Sequence, residues 1–168
     1  SYSGYEDYWR QADQRYATPY RQNGKAMRPM ALFELLDGNS ELEALGVNAD
    51  RMKEAESVDN RWVDDGYFLT LSMAEILMSG VSALSRGPRT LEINVHHPWD
   101  DDRDYAPITQ ILNCIDRIYL PVENFEGSDG IRITGIRRIG RSKNQTDEGW
   151  RTITRQATYG VLYDEYAD

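Results

Sequence analysis

The order and period of the apolar residues predict an α+β domain: a mainly antiparallel sheet of four to five strands with helices on one face, preceded by an extended N-terminal arm. Three observations predict it. Segments in which apolar and polar residues alternate recur between residues 67 and 163, and a period of two marks a strand with one buried face. One segment, 106–120, repeats its apolar residues at helical spacing instead. The first 28 residues contain no Leu, Ile or Val and so lack the filling a core requires.

That arm, residues 1–28, spreads Tyr2, Tyr5, Tyr8, Trp9, Tyr16 and Tyr20 among Arg10, Arg15, Arg21 and several glutamines. Aromatic and arginine side chains without aliphatic filling are the composition of contact surfaces. Disordered tails are usually poor in aromatics, so an arm that docks on a neighbouring subunit is favoured over a free tail.

The globular part, residues 29–168, begins with Leu32, Leu35, Leu36, Leu42 and Leu45, a helical pattern interrupted at Gly38-Asn39-Ser40. Ser40 followed by Glu43 has the spacing of a capping box, and Gly46 reads as the stop. Arg51–Val58 is expected as an edge strand. Tyr67, Leu69, Leu71 and Met73 then alternate with Phe68, Thr70 and Ser72, and Leu91, Ile93 and Val95 alternate with Glu92, Asn94 and His96. A short helix over Met73–Met78 and a loop through Ser79-Gly80 and Ser85–Pro88 are expected between them.

Ile108, Ile111, Leu112, Ile115, Ile118 and Tyr119 form one apolar helical stripe, with Asp104 as cap, Pro107 in the first turn and Pro121 beyond the end. A strand from Ile131 to about Arg138 follows, with a bulge predicted at Gly135, where the apolar phase slips by one. Gly140–Trp150 reads as a polar loop. The last strand, Thr152–Tyr163, places Ile153, Ala157, Tyr159, Val161 and Tyr163 on one face, and its acidic end from Asp164 is expected to fray.

Composition narrows function. The 168 residues suit one domain. No apolar run approaches the roughly 20 residues that span a bilayer, and no membrane partner is expected. Ser-Tyr-Ser-Gly-Tyr-Glu-Asp lacks the basic and apolar regions of a signal peptide, so the expectation is a chain that folds in a cytoplasm. With 19 basic and 28 acidic residues the net charge is −9, whereas a groove that grips nucleic acid needs a positive field. Arg137-Arg138 with Arg141 and Lys143 is the densest basic stretch, and a solvated hairpin face accounts for it.

No motif asks for catalysis. His96-His97 precedes Asp100-Asp101-Asp102, but adjacent residues on a strand point to opposite faces, and acids before a helix have a simpler electrostatic role. Neither a metal nor a cofactor site is expected. Gly-rich phosphate loops and Gly-x-Ser-x-Gly elbows are absent from the sequence. Cys114 is the single cysteine and falls within the apolar helix, an inert setting for a nucleophile. A subunit of a larger assembly is therefore expected, and no enzyme.

One ordered set of segments carries a family resemblance. Ser85-Arg86-Gly87-Pro88-Arg89-Thr90-Leu91 leads into a strand ending Val95-His96-His97-Pro98, followed by the helix Ala106–Leu120. Gly130-Ile131-Arg132-Ile133-Thr134 and Gly140-Arg141-Ser142 come next, and Asp147-Glu148-Gly149-Trp150-Arg151-Thr152-Ile153-Thr154-Arg155-Gln156-Ala157-Thr158-Tyr159 closes the set. Over roughly residues 67–163 the chain resembles the tail terminator proteins of long-tailed bacteriophages, although its arm looks longer than the family's usual N-terminus. The resemblance implies a virion subunit that assembles into a hexameric ring at the head-proximal end of the tail. Such a ring caps the tail tube, stops its polymerisation and meets the head connector, while DNA passes through its lumen without specific binding. The implied partners are further copies of the chain, the tail tube protein and the head–tail connector proteins.

Arg and Trp are enriched where surfaces meet, and on that basis the expected interface residues are Tyr5, Tyr8, Trp9, Arg86, Arg89, Arg141 and Trp150. Another phage connector or tail tube subunit, or a small binding module, is the alternative reading. A tube subunit would need a long hydrophobic β-hairpin, which the sequence does not reveal.

Overall fold

Alternating strands need a partner on each side and an apolar layer on one face, and here the last strand of the chain provides the centre of both. The structure, a computed structural model, describes residues 30–54, 66–75, 89–99 and 104–164. In chain order the elements are helix α1 (Ala31–Glu34), helix α2 (Ser40–Ala44), a 3₁₀ turn (Ala49–Arg51), β1 (Met52–Glu54), β2 (Phe68–Glu75), β3 (Arg89–Pro98), helix α3 (Ala106–Tyr119), β4 (Phe125–Glu126), β5 (Arg132–Arg141), β6 (Gln145–Asp147) and β7 (Thr152–Asp164). The sheet runs β1-β2-β3-β7-β5-β4, with β6 pairing to β7 off this path. Every pairing is antiparallel except β1 with β2.

The α+β architecture is as predicted, and the four long strands are those the alternation marks. β1 realises the first three residues of the expected edge strand beyond Arg51. β4 and β6 were not legible, because two or three residues are too few for a period of two to show. β6 lies inside the stretch read as a loop, and pairs Gln145–Asp147 with Thr154–Thr152. Met73 to Glu75 continue β2 where a helix was expected to start, because Met73 pairs with Leu91 and Glu75 with Arg89 across β3. Residues 55–58 of the expected edge strand, Ile76–Met78, the following loop, the arm, the acids Asp100–Asp102 and the last four residues lie outside the described residues.

The registers place Met52, Leu69, Leu71, Leu91, Ile93, Val95, Ile153, Ala157, Tyr159 and Val161 on one face, joined by Ile133 and Ile136 from β5. All are buried, together with Leu32, Phe33, Leu36, Leu42, Ile108, Ile111, Leu112 and Ile115 from the helices. Burying each of the Val, Leu, Ile, Phe and Met side chains among them contributes about 1.5–3 kcal/mol. The three helices thus share one face of the sheet. Cys114 is buried among them, and its thiol is pushed up to about 11 by burial first and by Glu41 second.

Helix boundaries follow local chemistry, with two corrections. Asn39, not Ser40, caps α2: its Oδ1 accepts the Leu42 amide at 3.0 Å. At the other end Gly46 adopts φ +93°. Its amide donates to the Glu43 carbonyl and the Val47 amide to the Leu42 carbonyl, the reciprocal pair that closes a helix through a left-handed residue. Ahead of α3, Tyr105 is the boundary residue, while Asp104 accepts the Ala106 amide at 3.0 Å. The predicted bulge appears between Ile133 and Gly135, and a second lies between Arg138 and Gly140. Asp164, expected to fray, pairs with Arg132 at the end of β7.

Candidate functional site

Strand β5 is the outer long strand on its side of the sheet, and its two bulges turn its side chains to two destinations. Toward the helices, Arg138 and Arg141 converge on Asp116 of α3. Asp116 Oδ2 accepts from Arg138 Nη1 at 2.8 Å and from Arg141 Nη2 at 2.6 Å, and Oδ1 accepts from the Tyr159 hydroxyl at 2.5 Å. Burial works against the Asp116 charge, but the hydrogen bonds from Tyr159 and Arg138 and the charge of Arg141 outweigh it and hold the carboxyl below its ordinary range. Burial first, and the Asp116 bond second, raise the Tyr159 phenol far above its usual value. Tyr119 stands edge-on to Tyr159 at 5.4 Å and donates to the Leu32 carbonyl at 2.6 Å. This chain of contacts fixes a bulged strand to the helix beneath it.

Toward the other face, β5 presents Arg137 and Ile139. Among the described residues no helix covers this face. Ile139 is 63% exposed and Leu162 of β7 is 46% exposed, and the Ile139 side chain lies beside Gly160 of β7. Arg137, opposite Gly160 in register, is exposed, as are Lys143 and Arg151. Beyond Ile133 no described strand runs along the outer side of β5, since β4 pairs only with Arg132 and Ile133. Among the described residues β5 therefore has an unpaired outer edge, with an apolar pair at its flank and cations around it.

At the far end of the same face sits a small aromatic cluster. His96 stacks on Phe68 at 4.7 Å and 7°, and Trp150 approaches Phe68 at 5.4 Å and His96 at 6.0 Å. Thr70 and Thr152 hydroxyls bond the two ring nitrogens at 3.0 and 2.8 Å. A hydroxyl can donate or accept, so the neutral ring is satisfied in either tautomer. Burial lowers the His96 pKa to about 4, with nearby Asp147 pulling the other way. His97 points to the opposite face, packs on Tyr67 at 4.4 Å and donates to the Pro98 carbonyl at 3.0 Å. Among the described residues no three potential metal ligands gather.

Of the residues expected at an interface, Tyr5, Tyr8, Trp9 and Arg86 lie outside the described residues. Arg89, on β3, donates from Nε to the Tyr163 hydroxyl at 3.0 Å, with its guanidinium carbon 5.5 Å from that ring. Arg141 is held by Asp116, with only 12% of its side chain exposed. Trp150 is half-buried against Phe68 and His96. The structure does not bring these three together. Sequence reading missed Asp116 and Tyr159 as a pair, and missed Ile139 and Leu162. The signal for Ile139 was present: it falls one residue outside the period that Ile131, Ile133 and Ile136 set once the Gly135 bulge is allowed for.

No family model matches this chain, and no curated protein matches it. A solved protein structure is similar, with a TM-score of 0.49 and 14% sequence identity over 84% of this chain and 100% of that chain; a likeness that weak carries no argument about function. Among the described residues no helix is long and apolar enough to cross a membrane.

Proposed function

We propose that this chain is a structural subunit of a bacteriophage tail that assembles as a ring on the end of the tail tube, halts its growth and offers a joining surface to the head connector. The observation that carries this reading is the ordered set of segments resembling tail terminators. Strand β3, helix α3, strand β5 and strand β7 hold most of that set and form the contiguous centre of the fold. Two physical features support it. Among the described residues one sheet face carries no helix and the outer side of β5 beyond Ile133 carries no strand, and such edges invite pairing. A net charge of −9 suits a ring through which DNA slides without being held.

Purified chain analysed by native mass spectrometry and negative-stain imaging, with and without preformed tail tubes, tests the proposal. The expected result is a closed ring, free or seated on tube ends, that blocks further tube growth. A monomer that neither assembles nor binds tube ends overturns it. One observation favours a tube subunit as the second reading: β5 and β7 are long antiparallel neighbours joined through residues 142–151, with Ile139 and Leu162 exposed on that hairpin. Open fibres of indefinite length would select that reading.

A further inference from the structure

The chain enters the described fold at the start of β5. Met30 is the first described residue, and its amide donates to Asp129 Oδ2 at 3.0 Å. Asp129 belongs to the turn that leads into β5, and its Oδ1 accepts the Ile131 amide at 3.2 Å. Gly127 of the same turn lets α1 approach closely, since a Cβ there would stand 2.8 Å from the Ala31 nitrogen. The 29 residues before Met30 therefore join the molecule beside the strand that carries the exposed apolar pair.

That pair lies in a patch of bare backbone. Register sets Gly135 opposite Leu162, Arg137 opposite Gly160 and Gly140 opposite Thr158, and directly opposed residues share a face. A Cβ at Gly135 or Gly140 would meet nothing within 4 Å, and one at Gly160 would meet only the Ile139 side chain. Three glycines thus surround the exposed Ile139 and Leu162, with the exposed Arg137 alongside. Aromatic rings cover glycines in strands well, and an arginine cation is attracted to a ring face. Residues 1–29 contain six aromatic residues and no Leu, Ile or Val, and Tyr2, Tyr5, Tyr8 and Trp9 fall close together among them.

We propose that residues 2–9 dock on this patch of their own chain, with aromatic rings over the three glycines and against Ile139 and Leu162. Residues 10–29 link Trp9 to Met30, and a chain of that length extends to about 66 Å. From Ile131 to Ile139 β5 advances about 26 Å, well within this reach. A tethered segment meets its own patch at an effective concentration on the order of mM, which favours it over the same segment of a second copy. Seated there, the segment covers the flank of β5, and its outer surface becomes part of what that side of the sheet offers to other proteins. The contact does not rest on the tail reading, and it is formed within one chain whether or not copies assemble.

Photo-crosslinking in the full chain tests the contact. The photoreactive residue p-benzoylphenylalanine is placed at position 137, and unlabelled and nitrogen-15-labelled chains are mixed in equal amounts before irradiation. Mass spectrometry of the digest is expected to show position 137 joined to residues 2–9 of the same isotopic form. Ile139→Asp with Leu162→Asp, both at exposed positions and checked for folding by thermal melts, should lower the yield at least about tenfold. Tyr5→Ser, Tyr8→Ser and Trp9→Ser together should lower it similarly without touching the sheet. Absence of cross-links to residues 2–9, or a yield that the arm substitutions leave unchanged, overturns the proposal. Cross-links that join unlabelled to labelled chains give the patch to the segment of a second copy and overturn it too.

Discussion

His96 ties a single side chain to the pH dependence of the fold. Its ring is buried between two threonine hydroxyls and Phe68, and burial depresses its pKa from 6.5 to about 4. The unfolded chain therefore binds a proton between those values that the folded chain refuses, so stability falls as pH falls from about 6.5 to about 4. The expected loss is about 3 kcal/mol across that window. Urea unfolding midpoints at a series of pH values check it, and in His96→Gln the dependence over this window should flatten. Asp116 acts in a separate window. Its carboxyl is held below the ordinary value of 3.8, so its contribution is full above that value and is lost as pH falls further. Asp116→Asn at neutral pH leaves Arg141, with 12% of its side chain exposed, facing an uncharged partner. A destabilisation of about 3 kcal/mol is expected, read in the same unfolding assay, with Tyr159→Phe costing less because it removes a hydrogen bond and no charge.

Elements show where local rules decide structure and where they are overruled. The cap of α2 is a local matter between two adjacent candidates, and Asn39 takes it because its carbonyl oxygen reaches the Leu42 amide. Asn39→Ala should cost about 1 kcal/mol, and Ser40→Ala no more than a few tenths; equal losses from the two in thermal melts would contradict the assignment. The end of α2 at Gly46 and the bulge at Gly135 were legible because glycine marks both in the sequence. The strand Gln145–Asp147 was not. Three polar residues bear no period, and only the neighbouring stretch of β7 gives them partners. Arg141 shows the same limit at an interface: Arg is enriched at contact surfaces, but nothing in its local sequence reveals that α3 brings Asp116 to it. Ile139 is the converse, an apolar residue turned outward by a bulge.

For the whole molecule, a net charge of −9 sets copies of the chain to repel one another at low salt. That repulsion is screened by salt, and raising ionic strength from about 0.01 M to about 1 M shortens the screening length from roughly 30 to 3 Å. If copies assemble as proposed, association of the wild-type chain should strengthen across that range in sedimentation experiments, while Ile139→Ser should lower association at every salt concentration without altering its salt dependence. The sequence by itself determined the α+β class, the four long strands, the apolar face of α3 and the bulge at Gly135, because period, capping and glycine placement act over a few neighbouring residues. It also determined the net charge and the basic character of residues 131–155. Only the tertiary structure decided that β7 is the central strand, that Asp116 commits Arg138 and Arg141, and that His96 is buried. Each of these depends on which distant segments become neighbours, and that is settled by packing the whole apolar face at once.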